Sequence, residues 1–320
     1  MSAIHFRAPL AAVVFGCLFA SVSDAQTPAP AKTPTKAVAT AGPWARVPAF
    51  PTGCFQNIAT NQPDPFYARA EAARTAIAAD ITKQAAINEK IAQEFINIDP
   101  MEQAQRLQQW MMSNPQEAMA FVQAAQNAPV EGQAALQAFQ QQESANEAKW
   151  TALKKSYDDA RLKAYAPTEA RRKAHFGKLG VTYSAAPKDL LEPLALVYHL
   201  YGENTVGSNA DWAEGESING AYDGAYKALC PQWWGANGKF PAYLKGQKDW
   251  FIKVRVPYLE SDIAPRLQQY AIMNTPAATY RSTEPQKAAL EYLALVEKVL
   301  NERDSVSRCV RPNNCDGIFP

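Results

Sequence analysis

Ile77, Ile81, Gln84, Asn88, Ile91, Phe95 and Ile98 follow one another at alternating spacings of four and three. Leu136, Phe139, Glu143, Asn146, Trp150, Leu153, Tyr157 and Ala160 repeat the pattern further along. An average near 3.5 residues per repeat keeps each set on one stripe of an α-helix, the seam of coiled-coil packing. Few other architectures accept this pattern twice, so the expected fold is all-α. Two such helices with a compact connection should form a long antiparallel hairpin. Both seams are polar at their centres, at Gln84 and Asn88 and at Glu143 and Asn146, and in a hairpin these layers should face each other. The plain reading is register control by buried polar groups; the sharper one is a ligand or ion site inside the bundle.

The helix starts are legible. Asp64-Pro65, Asp99-Pro100 and Asn114-Pro115 each place a capping side chain before a proline at the first helical position. Glu102 and Glu117 stand three residues after their caps, as in a capping box. The order expected over 64–165 is long helix, short helix, short helix, long helix. The two short helices, within 100–127, form the tip of the hairpin. They carry Met101, Met111, Met112 and Met119 with Leu107, Trp110, Phe121 and Val122. Unbranched thioether side chains adapt to varied surfaces. Trp110, Met111, Met112, Met119 and Phe121 are therefore the candidate partner-binding residues; packing on one another to close the hairpin is the competing role.

The second half is expected to be helical and loop-rich. Residues 202–238 hold seven of the chain's 15 glycines and three of its seven tryptophans and read as loops and turns. Helices are expected around 187–201 and 217–229, over 241–273 with breaks near Pro257 and Pro265, and over 284–303, where Ala289, Leu293, Val296 and Leu300 share a face. Ile252, Val254 and Val256 alternate with Lys253 and Arg255 in the manner of a short strand. No repeat of fixed period is present.

Residues 1–25 have the layout of a cleaved secretory signal peptide: His5 and Arg7, an apolar run from Leu10 to Ala20, and Ser23-Asp24-Ala25 as a cleavage site. The run is shorter than the roughly 20 apolar residues that span a bilayer. A lipoprotein modified at Cys17 is the minor alternative. The expected location is periplasmic or secreted, with no transmembrane helix in the mature chain. Residues 26–52, rich in proline and alanine, read as an extended, disordered linker. The folded regions follow as 53–178, the hairpin, and 179–320, the Gly- and aromatic-rich part. Cleavage leaves Cys54, Cys230, Cys309 and Cys315, an even number that suits two disulfides in an exported chain. Cys309 with Cys315 across a short turn, and Cys54 with Cys230, is the expected pairing.

With 32 basic and 31 acidic residues, the chain lacks the global charge that nucleic-acid binding draws on. The basic run Lys154, Lys155, Arg161, Lys163, Arg171, Arg172, Lys173 and Lys178 reads as a solvated helix face, and its alternative is contact with anionic lipid or an envelope polymer. Nucleophile elbows, Walker loops, dinucleotide fingerprints and metal-spaced His or Cys sets are absent, so no cofactor, metal or catalytic residue is assigned. The function expected is that of an exported helical interaction protein of the bacterial cell envelope, an adaptor, scaffold or chaperone-like factor without evident catalysis. The alternative places a polysaccharide-binding or carboxylate-based glycoside hydrolase site at Asp211, Glu214, Glu216, Trp233 and Trp234, since glycoside cleavage needs paired carboxylates and aromatic surfaces hold sugar.

Overall fold

Capped, proline-started segments with helical periodicity become helices where their apolar stripes find partners. A computed structural model describes residues 42–51, 56–57, 62–63, 65–180 and 209–307, all within one compact unit, 39–320. The helices are α1 (Pro43–Arg46), α2 (Pro65–Ile96), α3 (Pro100–Ser113), α4 (Pro115–Lys178), α5 (Asn209–Trp233), α6 (Lys239–Trp250), α7 (Val256–Ser261), α8 (Ile263–Ile272) and α9 (Glu284–Ser307). A π-turn, Phe251–Arg255, joins α6 to α7, and a 3-10 turn, Ala277–Thr279, precedes α9. Among the described residues, the β-structure is one antiparallel pair of two-residue strands, β1 (Gln56–Asn57) and β2 (Gln62–Pro63). The class is all-α. The signal segment, the expected helix around 187–201, and Cys54, Cys309 and Cys315 lie outside the described residues.

Asp99 caps α3 as its sequence indicates, its carboxylate accepting from the Met101 amide at 2.7 Å and the Glu102 amide at 3.4 Å. Asn114 does not cap α4; its side-chain amide turns back and donates to the Trp110 carbonyl at 3.0 Å, closing the end of α3. The expected third and fourth helices are one, α4, which runs 64 residues and passes the positions of Pro129 and Pro167.

The two seams do not pack on each other. Among the described residues α2 and α4 make almost no close contact, because the C-terminal helices lie between them. α9 runs antiparallel along α2: Tyr67 meets Asn301 at 2.9 Å, and Arg74 pairs with Glu297. Further along, Gln84 donates to the Thr279 carbonyl at 3.1 Å, and Asn88 both donates to the Arg281 carbonyl at 2.8 Å and accepts its amide at 3.3 Å. On the other side α4 runs antiparallel to α5, α6 and α7. Phe139 stacks on Tyr258 at 4.2 Å, Trp150 meets Phe240 and Tyr243, and Tyr157 meets Trp233 and Trp234. Gln84 and Asn88 are thus satisfied by one part of the C-terminal chain and Glu143 by another, at Arg255, and these polar layers do not meet in a shared site.

The hydrophobic core therefore draws on both halves of the sequence, from Phe66 and Ile77 on α2 through Trp150 and Tyr157 on α4 to Leu244 on α6 and the fully buried Ala289, Leu293, Val296 and Leu300 on α9. Trp44 and Val47 belong to it as well. Trp44 packs at 6.0 Å from Tyr292 and 6.4 Å from Phe251, and Arg46 pairs with Asp80 at 2.5 Å. The end of the expected linker is thus folded onto the body: a tryptophan there has apolar area to bury, which proline and alanine around it do not advertise.

Two further expectations change. The Gly-rich stretch expected as loops forms α5, with Gly215, Gly220 and Gly224 inside a 25-residue helix. The alternating segment Ile252–Val256 is not a strand: it lies in the π-turn Phe251–Arg255 and the first residue of α7. Pro257 has no amide to offer the Lys253 carbonyl, and the ladder widens just before it, with the Val256 amide bonding the Phe251 carbonyl five residues back. Gly238 begins α6 where a Cβ would fall 2.6 Å from the Trp233 carbonyl oxygen. Only glycine lets this turn close tightly enough to bring Trp233 and Trp234 onto Phe240.

Candidate functional site

The tip is built from the end of α2, α3 and the start of α4. Gln103 anchors α3 by donating to the Phe95 and Ile98 carbonyls at 3.0 and 3.1 Å. Arg106, paired with Glu102, donates to the Met273 carbonyl at 2.7 Å and ties α3 to the end of α8. Trp110 meets Phe121 edge-to-face at 5.9 Å, closing α3 against α4, and Ala118 near the start of α4 is buried. This divides the five candidate residues. Trp110, Met111 and Phe121 are half-buried, and Trp110 with Phe121 holds α3 to α4. Met112 and Met119 point outward, 69% and 65% exposed, joined by Met101 at 72% and Ile96 at 63%. Four large apolar side chains at this end of the molecule thus face water, while Trp110 and Phe121 close α3 on α4.

A second cluster was not singled out from the sequence. Arg255, in the π-turn, lies 3.1 Å from Glu143 on α4 and 3.0 Å from Glu291 on α9, with its guanidinium 6.0 Å from the Trp250 ring and 5.4 Å from the Phe251 ring. One cation thus joins three elements; in the sequence Arg255 stands only as one of two cations alternating with aliphatic residues before Pro257. Burial pushes the Glu291 carboxyl above its ordinary range; Arg255 opposes the shift, and Glu143, Glu284 and Lys287 also act on it. An acid raised in the folded state contributes stability that is present below its unfolded pKa and lost as pH rises through the folded value. Relative to Glu291→Gln, the wild-type chain is therefore expected to gain melting temperature as pH falls from neutrality into the carboxylate range. A difference that stays flat or shrinks on acidification would contradict this.

The C-terminal part of α4 carries a polar stripe. Arg161, Thr168, Arg172 and His175 are buried on the face toward α5, although the basic run was expected to be solvated. Arg172 donates to the Tyr165 hydroxyl at 3.0 Å, and that hydroxyl donates to Glu169. His175, 1% exposed, has Nδ1 3.2 Å from Glu214, while its Nε2 has no hydrogen-bond partner. The hydrogen bond from Lys178 and the neighbouring His175 hold the Glu214 carboxyl below its ordinary range. With a guanidinium one turn away the ring is poorly placed to bind a cation, and among the described residues no group of three or more His, Cys, Asp or Glu could hold a metal.

Of the alternative carboxylate and aromatic site, the two rings are closed off. Trp233 and Trp234 are 2% and 1% exposed, enclosed by Tyr157 and Phe240, and neither ring offers a face to a sugar. Glu214 is engaged with Lys178 and His175, and the side chains of Asp211 and Glu216 lie outside the described residues. Cys230 is buried, with its sulfur in a disulfide. Among the described residues no helix is long and apolar enough to cross a membrane. No protein-family profile, curated protein or solved structure matches the chain, so its likeness to known proteins adds nothing to the geometry above.

Proposed function

We propose that the chain is an exported helical interaction protein of the bacterial cell envelope, an adaptor, scaffold or chaperone-like factor that engages a partner protein through its methionine-rich tip. The signal-like N-terminus and the cysteine count support delivery to the periplasm or beyond, with Cys54 as the partner of Cys230. No catalysis, cofactor or metal belongs to this reading. The observation that carries it is the outward placement of Met101, Met112 and Met119 on a tip anchored elsewhere by Trp110, Phe121 and Arg106. Methionine surfaces serve partners of varied shape because the side chain repacks at low cost.

The test is chemical crosslinking in intact cells with Met101, Met112 and Met119 changed together to glutamine. Burying a side chain of this size contributes about 1.5–3 kcal/mol, so loss of three should weaken the complex by well over about tenfold. Adducts of the wild-type chain are expected to disappear while the melting temperature stays within a few degrees, since all three side chains are exposed. Unchanged adducts from a folded variant would remove the tip as the binding site. Trp110 and Met111 are unsuited to this test, because losing them would loosen the tip itself.

A further inference from the structure

We propose a second docking surface, independent of the tip: the outward face of α4 between Lys149 and Arg171 seats the chain on an anionic lipid bilayer. Lys149, Lys163, Arg171 and Lys173 are exposed and have no partner among the described residues. The acids of this stretch do not balance them. Asp158 turns toward Arg161 at 3.7 Å, Glu169 accepts from the Tyr165 hydroxyl, and Asp159 is taken by Lys155 at 2.7 Å. The buried stripe thus draws two of three carboxylates inward and leaves the outer face basic. Lys149, Lys163 and Arg171 fall within about a quarter-turn of one another over roughly 33 Å of helix, and Lys173 lies about a further quarter-turn beyond Lys163, on the flank of the row. Ala152, Ser156, Pro167, Ala170 and Ala174 stand between the cations, so nothing bulky holds a flat surface away. The shape separates a bilayer from a linear polyanion. Strand-binding surfaces combine a basic groove with stacking aromatics, whereas this face is convex and Trp150, Tyr157, Tyr165 and Phe176 are all turned inward and buried. A row of point charges on a convex rod suits a plane of lipid phosphates.

The experiment is flotation of the full exported chain with vesicles of pure phosphatidylcholine and of phosphatidylcholine mixed with phosphatidylglycerol, across a salt series. Binding is expected only with phosphatidylglycerol, weakening as salt rises. Each cation removed near an anionic surface should cost roughly fivefold, so Lys163→Gln with Arg171→Gln should weaken binding by about 25-fold. Lys83→Gln with Lys298→Gln, on α2 and α9, should change it little. The single variants give a roughly fivefold reading each if the pair disturbs folding. Absence of binding to phosphatidylglycerol vesicles at low salt would overturn the proposal. So would equal loss from both pairs, or capture of soluble poly(glycerol phosphate) without capture of vesicles. The methionine variant of the tip should bind vesicles as the wild type does, so failure of one surface leaves the other standing.

Discussion

Phe240→Ala is expected to destabilise the protein by about 3–5 kcal/mol, which corresponds to a melting temperature lower by about 6–20 °C. Phe240 is 1% exposed and stacks on Trp234 at 4.2 Å, with Trp150, Tyr157 and Trp233 each 5.6 Å away. Four aromatic rings, from α4, the end of α5 and the turn that follows it, converge on this one side chain, and no single rotamer change can refill the space of a phenyl group. The loss should be felt across the molecule, because α4 reaches the core chiefly through Trp150 and Tyr157, and both lean on Phe240. Total stability of a domain is commonly about 5–15 kcal/mol, so this substitution removes a large share of it. Denaturation followed by fluorescence and by circular dichroism should give one coincident, shifted transition. The comparison is Met112→Ala at the tip, which should stay within about 0.5 kcal/mol.

The helices were legible where local chemistry decides them. Asp99 followed by Pro100 forces a helix start whatever surrounds it, and the stripe Ala289, Leu293, Val296 and Leu300 could only face a core. What the seams faced was not legible. A 3–4 stripe states that a helix has an apolar side and leaves open which helix covers it, and the nearest candidate in sequence proved to be the wrong one. Gln84 and Asn88 illustrate the difficulty: an amide in a seam is satisfied equally well by a facing amide or by the carbonyls of Thr279 and Arg281, nearly two hundred residues away. The glycines of α5 misled for a related reason, since propensity yields to packing when Ile218, Trp233 and a disulfide-bonded Cys230 anchor the helix.

The candidate site was legible in part. The cluster of methionines was visible, and so was the competition between packing and contact. The division between them was not, because it depends on Trp110 of α3 packing against Phe121 of α4 while Met112 and Met119 stay outside. Arg161 and Arg172 were hidden for the opposite reason. Their charge predicts solvent, yet the helix phase set by Trp150 and Tyr157 turns them inward, and Tyr165 and Asp158 are placed to receive them.

The central claim is that the C-terminal helices form the partner of both seams, so that α2 and α4 have no stable fold without them. Cutting the chain after residue 180 removes α5 through α9 and with them every contact described for Trp44, Ile77, Trp150 and Tyr157 in the core. The fragment keeps two long helices with apolar stripes, and isolated helices in water are marginal without tertiary packing. Seams matched to aromatic and aliphatic wedges should not close on each other, since Gln84 and Asn88 would meet Glu143 and Asn146 without the carbonyls that satisfy them now. The decisive measurement is thermal denaturation of residues 42–180 followed by circular dichroism. The account predicts reduced helicity and a broad, uncooperative melt; a sharp cooperative transition with the helicity of a folded α2–α4 hairpin would contradict it.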